Sequence, residues 1–223
     1  MHELTADDHA RVSAAIAKAE EASDGEIVAV ATDLSDQYHD AAWQWAALLT
    51  FLQMGIWAFQ PMWLEEAYHL FFGGWGEVPL AQLLTVLLLF SLATFLIVWG
   101  ALRYMPLRLK LVPPATKTRR VRRRAIDIYK AGAEKRTIGR TGILIYLSMG
   151  EHRAEIIHDD AITQAVEGDA WAEAMIALLG PVREGRVAEG ICAAIHEIGL
   201  VLAEHFPKSS DDTNEIPDKL IEL

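Results

Sequence analysis

The sequence predicts an α/β fold: a sandwich with a central sheet flanked by helices, interrupted by a two-helix transmembrane hairpin. Three observations lead to this prediction. Helical and strand patterns alternate in both halves of the chain, two long uncharged segments separate the halves, and a dense basic stretch follows the second segment. The 223 residues suffice for one domain and a small membrane element. The apolar share of 52% is high for a soluble protein.

Residues 1–40 read as one helix followed by one strand. Thr5 suits the N-cap position, and Val12 and Ile16 begin an apolar stripe at helical spacing. The stretch Glu26–Thr32 is rich in Val and Ala and predicts a strand. A single strand and helix cannot bury their own apolar faces. We therefore expect residues 1–40 and 106–206 to form one domain that is split in sequence.

Residues 41–105 hold the predicted transmembrane hairpin. Its first span, Ala41–Phe59, is uncharged and as a helix is roughly 28 Å long, against about 30 Å of bilayer hydrocarbon. Its second span, Val78–Leu102, is uncharged and long enough to cross with some tilt. Tryptophans gather near the ends of both segments, as in an aromatic belt. The alternative is a pair of buried core helices.

The charges that flank the spans predict their orientation. Nine Lys or Arg and no acid lie between Arg103 and Arg124, whereas the loop between the spans has three Glu and no Lys or Arg. By the positive-inside rule the basic flank faces the cytoplasm. No secretory signal precedes Glu3. We expect a protein of the bacterial inner membrane with two spans and both termini in the cytoplasm.

The rest of the chain supplies the other predicted strands. A connector punctuated by prolines, Met105–Thr118, leads into a basic helix over residues 117–137. The stretch Thr141–Met149 is apolar on both faces, as in a central strand. A glycine-containing turn over Met149–His152 predicts a hairpin to the next strand. Helices follow, and the polar residues 207–223 predict a disordered tail.

Two of these stretches, AIAKAEEASDGEIVAVATDLSD and RTGILIYLSMGEHRAEIIHDDAIT, resemble the TPM domain family, the thylakoid lumen phosphatase-like, photosystem repair and receptor-modulator group. The resemblance implies an α/β sandwich, and the chain is most similar to the bacterial membrane-protein branch. Many relatives in this family are membrane-anchored, and the family is linked to assembly or repair of membrane complexes, to calcium binding and to acid phosphatase activity. The family commonly has a signal peptide and a contiguous domain, and this sequence differs in both.

The resemblance implies that the TPM-like domain is a binding or assembly module for a membrane complex, with a membrane protein as partner. The alternative is a metal-dependent acid phosphatase that hydrolyses phosphomonoesters. Cys192 lies in the middle of a predicted helix, where a small core residue is expected, and no glycine-rich phosphate loop is present. We expect a binding module more than an enzyme.

Aspartates that follow two predicted strands are the candidate metal ligands. Asp33 and Asp36 come after the first strand, and Asp159 and Asp160 come after the strand that ends near Ile157. If both turns lie at one edge of the sheet, their carboxylates suit Ca²⁺ or Mg²⁺. The alternative is that these residues make turns and cap the next helix.

The basic helix carries a run of arginines next to the second predicted span. Basic residues beside a span attract anionic lipid, with about 1 kcal/mol for each residue near the surface. The alternative is that the run only determines topology. A net charge of −11 makes nucleic acid an unsuitable partner for the chain as a whole. The arginines predicted to contact anionic lipid are Arg119, Arg120, Arg122, Arg123 and Arg124.

Overall fold

A computed structural model of the chain describes residues 4–132, 141–209 and 217–223. Two compact units make up the chain. The α/β unit consists of Met1–Asp36 and Ala115–Leu223, and the helical unit is Gln37–Pro114. The helical unit is inserted in sequence after the first strand of the α/β unit. Its boundaries lie at residues 36 and 114, four and nine residues from the predicted boundaries at 40 and 105.

Helices and strands alternate in the α/β unit, whereas the helical unit contains helices alone among its secondary-structure elements. A 3₁₀ turn, Gly168–Ala170, precedes the helix that begins at Trp171. In chain order the elements are α1 (Ala6–Glu20), β1 (Glu26–Thr32), α2 (His39–Phe59), α3 (Pro61–Phe72), α4 (Leu80–Ala101), α5 (Met105–Leu111), α6 (Pro114–Gly132), β2 (Gly142–Ser148), β3 (Arg153–His158), α7 (Asp160–Ala165), α8 (Trp171–Arg183), α9 (Val187–His205) and β4 (Leu220–Glu222).

The four strands form one mixed sheet in the order β3-β2-β1-β4. β1 lies in the middle and runs parallel to both β2 and β4. β3 runs antiparallel to β2, because a tight turn at Met149–His152 returns the chain. The register pairs Glu26 with Gly142 and Thr32 with Ser148. The predicted α/β class and the predicted β-hairpin between β2 and β3 are confirmed.

Helices cover both faces of the sheet. Successive side chains of a strand point to opposite faces, so the apolar residues of β1 and β2 divide between two cores. One core contains Ile27 and Ile143 and is closed by α1, α7, α8 and α9. The other contains Val28 and Leu144 and is closed by α6. β1 and β2 are therefore buried on both faces, as the unbroken apolar runs predict.

The end of the chain differs from the prediction. Residues 207–223 were expected to be disordered, yet Leu220–Glu222 forms β4 against β1. Leu220 is buried, and the backbone N–H of Leu223 donates to the carbonyl of Ala31 at 3.1 Å. Leu220 packs into one core, Ile221 packs against the other, and the backbone of β4 pairs with β1. The prediction is wrong for β4, and residues 210–216 lie outside the described part of the chain.

The helical unit is built on the pairing of α2 with α4. Aromatic rings join the two helices along their length: Trp43 contacts Phe95 at 5.4 Å and Trp57 contacts Phe90 at 5.2 Å between centroids. The buried guanidinium of Arg108 closes the base of the pair. It donates to the carbonyl oxygens of Leu102, Gln37 and Arg103.

Of the helices in the described residues, α4 alone is long and apolar enough to cross a membrane. α2 falls short by this measure, because its glutamines and tryptophans lower its mean hydropathy. The first predicted span, Ala41–Phe59, coincides with most of α2 and stays a prediction.

Candidate functional site

The four predicted metal ligands lie at opposite edges of the sheet. Asp33 and Asp36 follow β1 at the edge where β2 also ends. Asp159 and Asp160 follow β3, which runs the other way, so they lie beside the start of β2. Six residues of strand, roughly 20 Å, separate the two edges. The condition for a shared site, that both turns lie at one edge, is not met, because the antiparallel hairpin carries the end of β3 back to the opposite edge.

Asp159 and Asp160 have structural roles at the start of β2. Oδ2 of the buried Asp159 accepts a hydrogen bond from the Gly142 N–H at 3.2 Å. The Asp159 carbonyl accepts from the Thr163 N–H at 3.0 Å, which begins α7. Asp160 is exposed in the first turn of α7. No group of three or more His, Cys, Asp or Glu able to hold a metal ion is found among the residues that the structure describes.

Asp33 and Asp36 belong to the loop at the carboxyl edge of the sheet. The Asp33 carbonyl accepts a hydrogen bond from the Gly150 N–H at 2.8 Å. Oδ2 of Asp36 lies 3.1 Å from a guanidinium nitrogen of Arg120 on α6. This ion pair joins the loop to α6 and brings part of the predicted lipid-binding run beside a predicted metal ligand.

A buried carboxylate holds this loop in place. Glu151, in the turn between β2 and β3, accepts from the Ser35 N–H at 3.0 and 3.2 Å and from the Ser148 hydroxyl. The Ser35 hydroxyl lies 3.0 Å from the Tyr146 hydroxyl. Burial raises the pKa of Tyr146, and the charge of Glu151 adds to the rise. The phenol therefore stays neutral and can hold Ser35 by a hydrogen bond.

The loop and α6 enclose a groove of about 690 Å³, here called the arginine groove. α6 buries Val121, Ala125 and Tyr129 against the sheet. Its N-terminal half lies at the carboxyl edge, since Arg120 meets Asp36 there, while the Tyr129 hydroxyl donates to the Gly142 carbonyl at the other edge. The groove is lined by Ser35, Asp36, Arg119, Arg120, Arg123, Arg124 and Asp127.

Positive charge dominates the arginine groove. Four arginines face two aspartates, which leaves a formal charge of +2. Within residues 4–132, 141–209 and 217–223, no ion pair joins Arg119, Arg123 or Arg124 to a carboxylate. Guanidinium groups bind carboxylates and phosphates through paired N–H donors. The arrangement can therefore bind an anion.

Four of the five arginines predicted to contact lipid line the groove, and Arg122 does not. It lies on another side of α6, 4.0 Å from a carboxylate oxygen of Glu155. Sequence patterns do not predict the roles of Ser35, Tyr146 and Glu151 at this site. The one local signal for them is Ser148 and Glu151 three residues apart across the hairpin turn, where a serine and a carboxylate can bond.

Cys192 is half-buried on α9 and packs against the core beneath it, as expected for a structural residue. Burial raises the pKa of its thiol. A raised pKa lowers the thiolate fraction, and the thiolate is the nucleophilic form. Cys192 is thus a poor nucleophile for the alternative phosphatase activity.

Fold and site together define a mixed α/β domain, with helices on both faces of a four-stranded sheet and an arginine-lined groove at its carboxyl edge. No family model and no curated protein matches this chain. The chain is similar in fold to the solved NMR structure of BA42 protein from the psychrophilic bacterium Bizionia argentinensis sp. nov.. The TM-score is 0.57 at 18% identity, over 100% of this chain and 98% of that one. At this identity the likeness shows the fold alone.

Proposed function

We propose that the chain is a membrane-anchored binding module: the helical unit holds it in the bilayer and the α/β unit binds a partner in a membrane complex. The exposed apolar surface of the helical unit supports the anchor. Of the 18-residue apolar window within α4, only 11% is buried inside the protein. Monomeric soluble proteins rarely expose apolar surface of this extent, and a bilayer would cover it.

α2 shows a pattern that suits a second span. Phe51 and Leu52 are exposed, whereas the side-chain amide of Gln53 is buried and has no hydrogen-bond partner among the described residues. The hydroxyl of Thr50 donates to the carbonyl of Ala46, within the same helix. Polar groups in membrane helices face the protein interior or bond to their own backbone. Over Thr50–Gln53 the polar groups are thus turned inward or bonded within the helix and the apolar side chains face outward, which favours α2 as the partner span of α4.

Two spans would return the chain to the side from which it came. The basic stretch after α4 favours the cytoplasm of a bacterial inner membrane as that side. Both termini and the TPM-like α/β unit would then lie at the cytoplasmic face. There the arginine groove is the candidate contact for an acidic group of a membrane partner.

Ca²⁺ or Mg²⁺ binding and phosphatase activity are separate proposals from the resemblance. The sheet topology rules out one site built from all four predicted aspartates. A metal at the carboxyl edge would have to use Asp33 and Asp36 without the other pair. The phosphatase alternative predicts that the purified chain hydrolyses a phosphomonoester when divalent metal is added. A rate equal to that of an Asp36→Ala variant would exclude this route.

Extraction of membranes at alkaline pH tests the anchor. We expect the chain to stay in the membrane pellet after washing with sodium carbonate and to dissolve only in detergent. The same substitution at two places is a further probe. Leu92→Asp changes the exposed face of α4, and Leu178→Asp changes the core of the α/β unit. The first should impair membrane retention and the second folding. Release of the unaltered chain by carbonate would refute the anchor.

A further inference from the structure

We infer that the arginine groove is a binding site for a phosphate group that carries a polar organic substituent. The inference deepens the proposed function and rests on it, since it names the class of ligand that the α/β unit recognises. The groove lies wholly within the α/β unit and is built from the β1–α2 loop and one face of α6.

The spacing along α6 places the arginines together. Arg119 and Arg123 are four residues apart, as are Arg120 and Arg124, so each pair shares one side of the helix. The buried stripe that begins at Val121 packs on the sheet and fixes the opposite side. The guanidinium groups are therefore held on the face that borders the groove.

The charge of the groove matches a phosphate monoester. Asp36 pairs with Arg120, and this pair orders the loop rather than closing the site. Counting Asp127, the lining keeps a formal charge of +2, from four arginines and two aspartates. A phosphate monoester carries about −1.5 to −2 near neutral pH. One such group would neutralise the lining and accept paired N–H donors from Arg119, Arg123 and Arg124.

The size and polarity of the groove restrict the rest of the ligand. At about 690 Å³ it is within the range of small-molecule sites, about 300–1,000 Å³, and it exceeds what one phosphate fills. Every lining residue is Ser, Asp or Arg, so no apolar pocket is offered to a hydrocarbon chain. The ligand would be a glycerol or sugar phosphate, either free in solution or as the headgroup of an anionic phospholipid whose acyl chains stay outside.

Titration calorimetry of the full chain in a neutral detergent distinguishes the two sources. The probes are glycerol 3-phosphate, a short-chain phosphatidic acid and, for comparison, short-chain phosphatidylcholine and malate. Equal binding of the first two indicates a soluble ester, and binding of phosphatidic acid alone indicates a lipid headgroup. Either result supports a phosphate site. Malate that binds as tightly as both phosphates would overturn the assignment, as would no binding of either phosphate at millimolar concentration.

Two charge-matched double variants show where binding occurs. Arg119→Gln with Arg123→Gln removes two lining charges, whereas Lys117→Gln with Arg122→Gln removes two charges of α6 outside the lining. We expect the first pair to weaken phosphate binding by about tenfold or more, since two charge-assisted hydrogen bonds are lost, and the control pair to change it by less than about twofold. Equal losses of phosphate affinity in the two double variants would indicate diffuse electrostatic attraction, and would overturn the assignment of the binding site to the groove.

These side chains, apart from Lys117, are exposed, so the variants should keep the thermal midpoint of the unaltered chain, which is measured alongside. Failure of this test leaves the anchor intact, because carbonate extraction does not depend on the groove. Conversely, release of the chain by carbonate would refute the membrane anchor, and phosphate binding by the groove could still be measured.

Discussion

Glu20 is a carboxyl group held inside the α/β unit at the last residue of α1. It is 7% exposed, and its Oε1 accepts a hydrogen bond from the Ile27 N–H at 2.7 Å. Burial raises the pKa of Glu20 from 4.5 to about 8, and the negative charges of Glu26 and Asp218 add to the rise. The carboxyl group therefore holds its proton in the folded chain at pH values where an unfolded glutamate is ionised.

The raised pKa of Glu20 predicts that stability falls as pH rises. The protonated form favours folding, so its contribution is complete below 4.5 and is lost as pH approaches 8. Between these values the free energy of unfolding should fall by up to about 1.4 kcal/mol per pH unit. The thermal midpoint in detergent, measured across this pH range, should depend less on pH in Glu20→Gln. It should keep its pH dependence in Glu21→Gln, an exposed neighbour. An unchanged slope in Glu20→Gln would contradict the pKa.

Gly150 allows the hairpin turn to approach the loop after β1. A Cβ at this position would lie 2.7 Å from the Asp33 carbonyl oxygen, and a backbone atom cannot easily move away. Gly150→Ala should therefore lower the free energy of unfolding by about 1–3 kcal/mol. Gly180→Ala is the control, because it lies within α8 with no atom within 4 Å of its added Cβ. Denaturant titration of both variants measures the difference, and equal stability would show that the turn can shift.

At single residues the sequence predicts local partners better than distant ones. The Thr5 N-cap is confirmed, because its partner Asp8 lies three residues away in a capping box. Asp159 lies at the expected N-cap position of α7, yet its side chain bonds to Gly142 instead. Asp36 pairs with Arg120, and the whole helical unit lies between them in sequence. No local sequence pattern predicts that ion pair, because it depends on how α6 packs on the sheet.

Among the elements, β4 is the one whose importance exceeds its length. Leu220 is 4% exposed and joins the core of α1, α7, α8 and α9. The hydroxyl of Thr32 donates to the Leu223 carbonyl at 2.8 Å, beyond the end of the strand. Three residues show no alternation that a sequence pattern could detect. The strand is evident from its pairing with β1 and not from a pattern in its sequence.

Substitutions at Leu220 and Leu223 test whether β4 stabilises the fold through its buried side chain. Leu220→Ala should lower the free energy of unfolding by about 2–4 kcal/mol, because it removes a buried side chain. Leu223→Ala should change it by less than about 0.5 kcal/mol, since that side chain is 58% exposed. Chemical denaturation followed by circular dichroism gives both values. Two equal losses would argue that the tail contributes by its backbone alone.

Strong apolar patterns identify the main elements, and prolines mislead at one place. β1 and β2 follow from their unbroken apolar runs, and the hairpin follows from its turn. The predicted connector Met105–Thr118 is instead largely helical, as α5 and the start of α6. Pro106 and Pro114 stand in the first turns of these helices, where the missing N–H removes no helical bond. The predicted β-hairpin already implies that Asp159 lies at the other edge of the sheet from Asp33, so a site shared by both was not consistent with it.

For the molecule as a whole, the number of spans decides on which side the first residues lie. Starting from a Cys192→Ala chain, single cysteines at Asp7, Glu77 and Ser209 report three exposed positions. With two spans, a membrane-impermeant maleimide should label Glu77→Cys in intact cells and spare the other two. With α4 as the only span, Asp7→Cys would be labelled together with Glu77→Cys. Labelling of Ser209→Cys in intact cells would reverse the orientation.

The place of β1 in the middle of the sheet governs how the nascent chain can fold. β1 leaves the ribosome first among the strands, while β2, its parallel neighbour, begins more than a hundred residues later, and β4 follows β2. Throughout translation of α2, α3 and α4 the strand therefore has no pairing partner. Domains ordinarily fold as units during synthesis. Here the α/β unit must wait until the helical unit has emerged, so a nascent chain stalled near Pro114 should leave β1 open to protease.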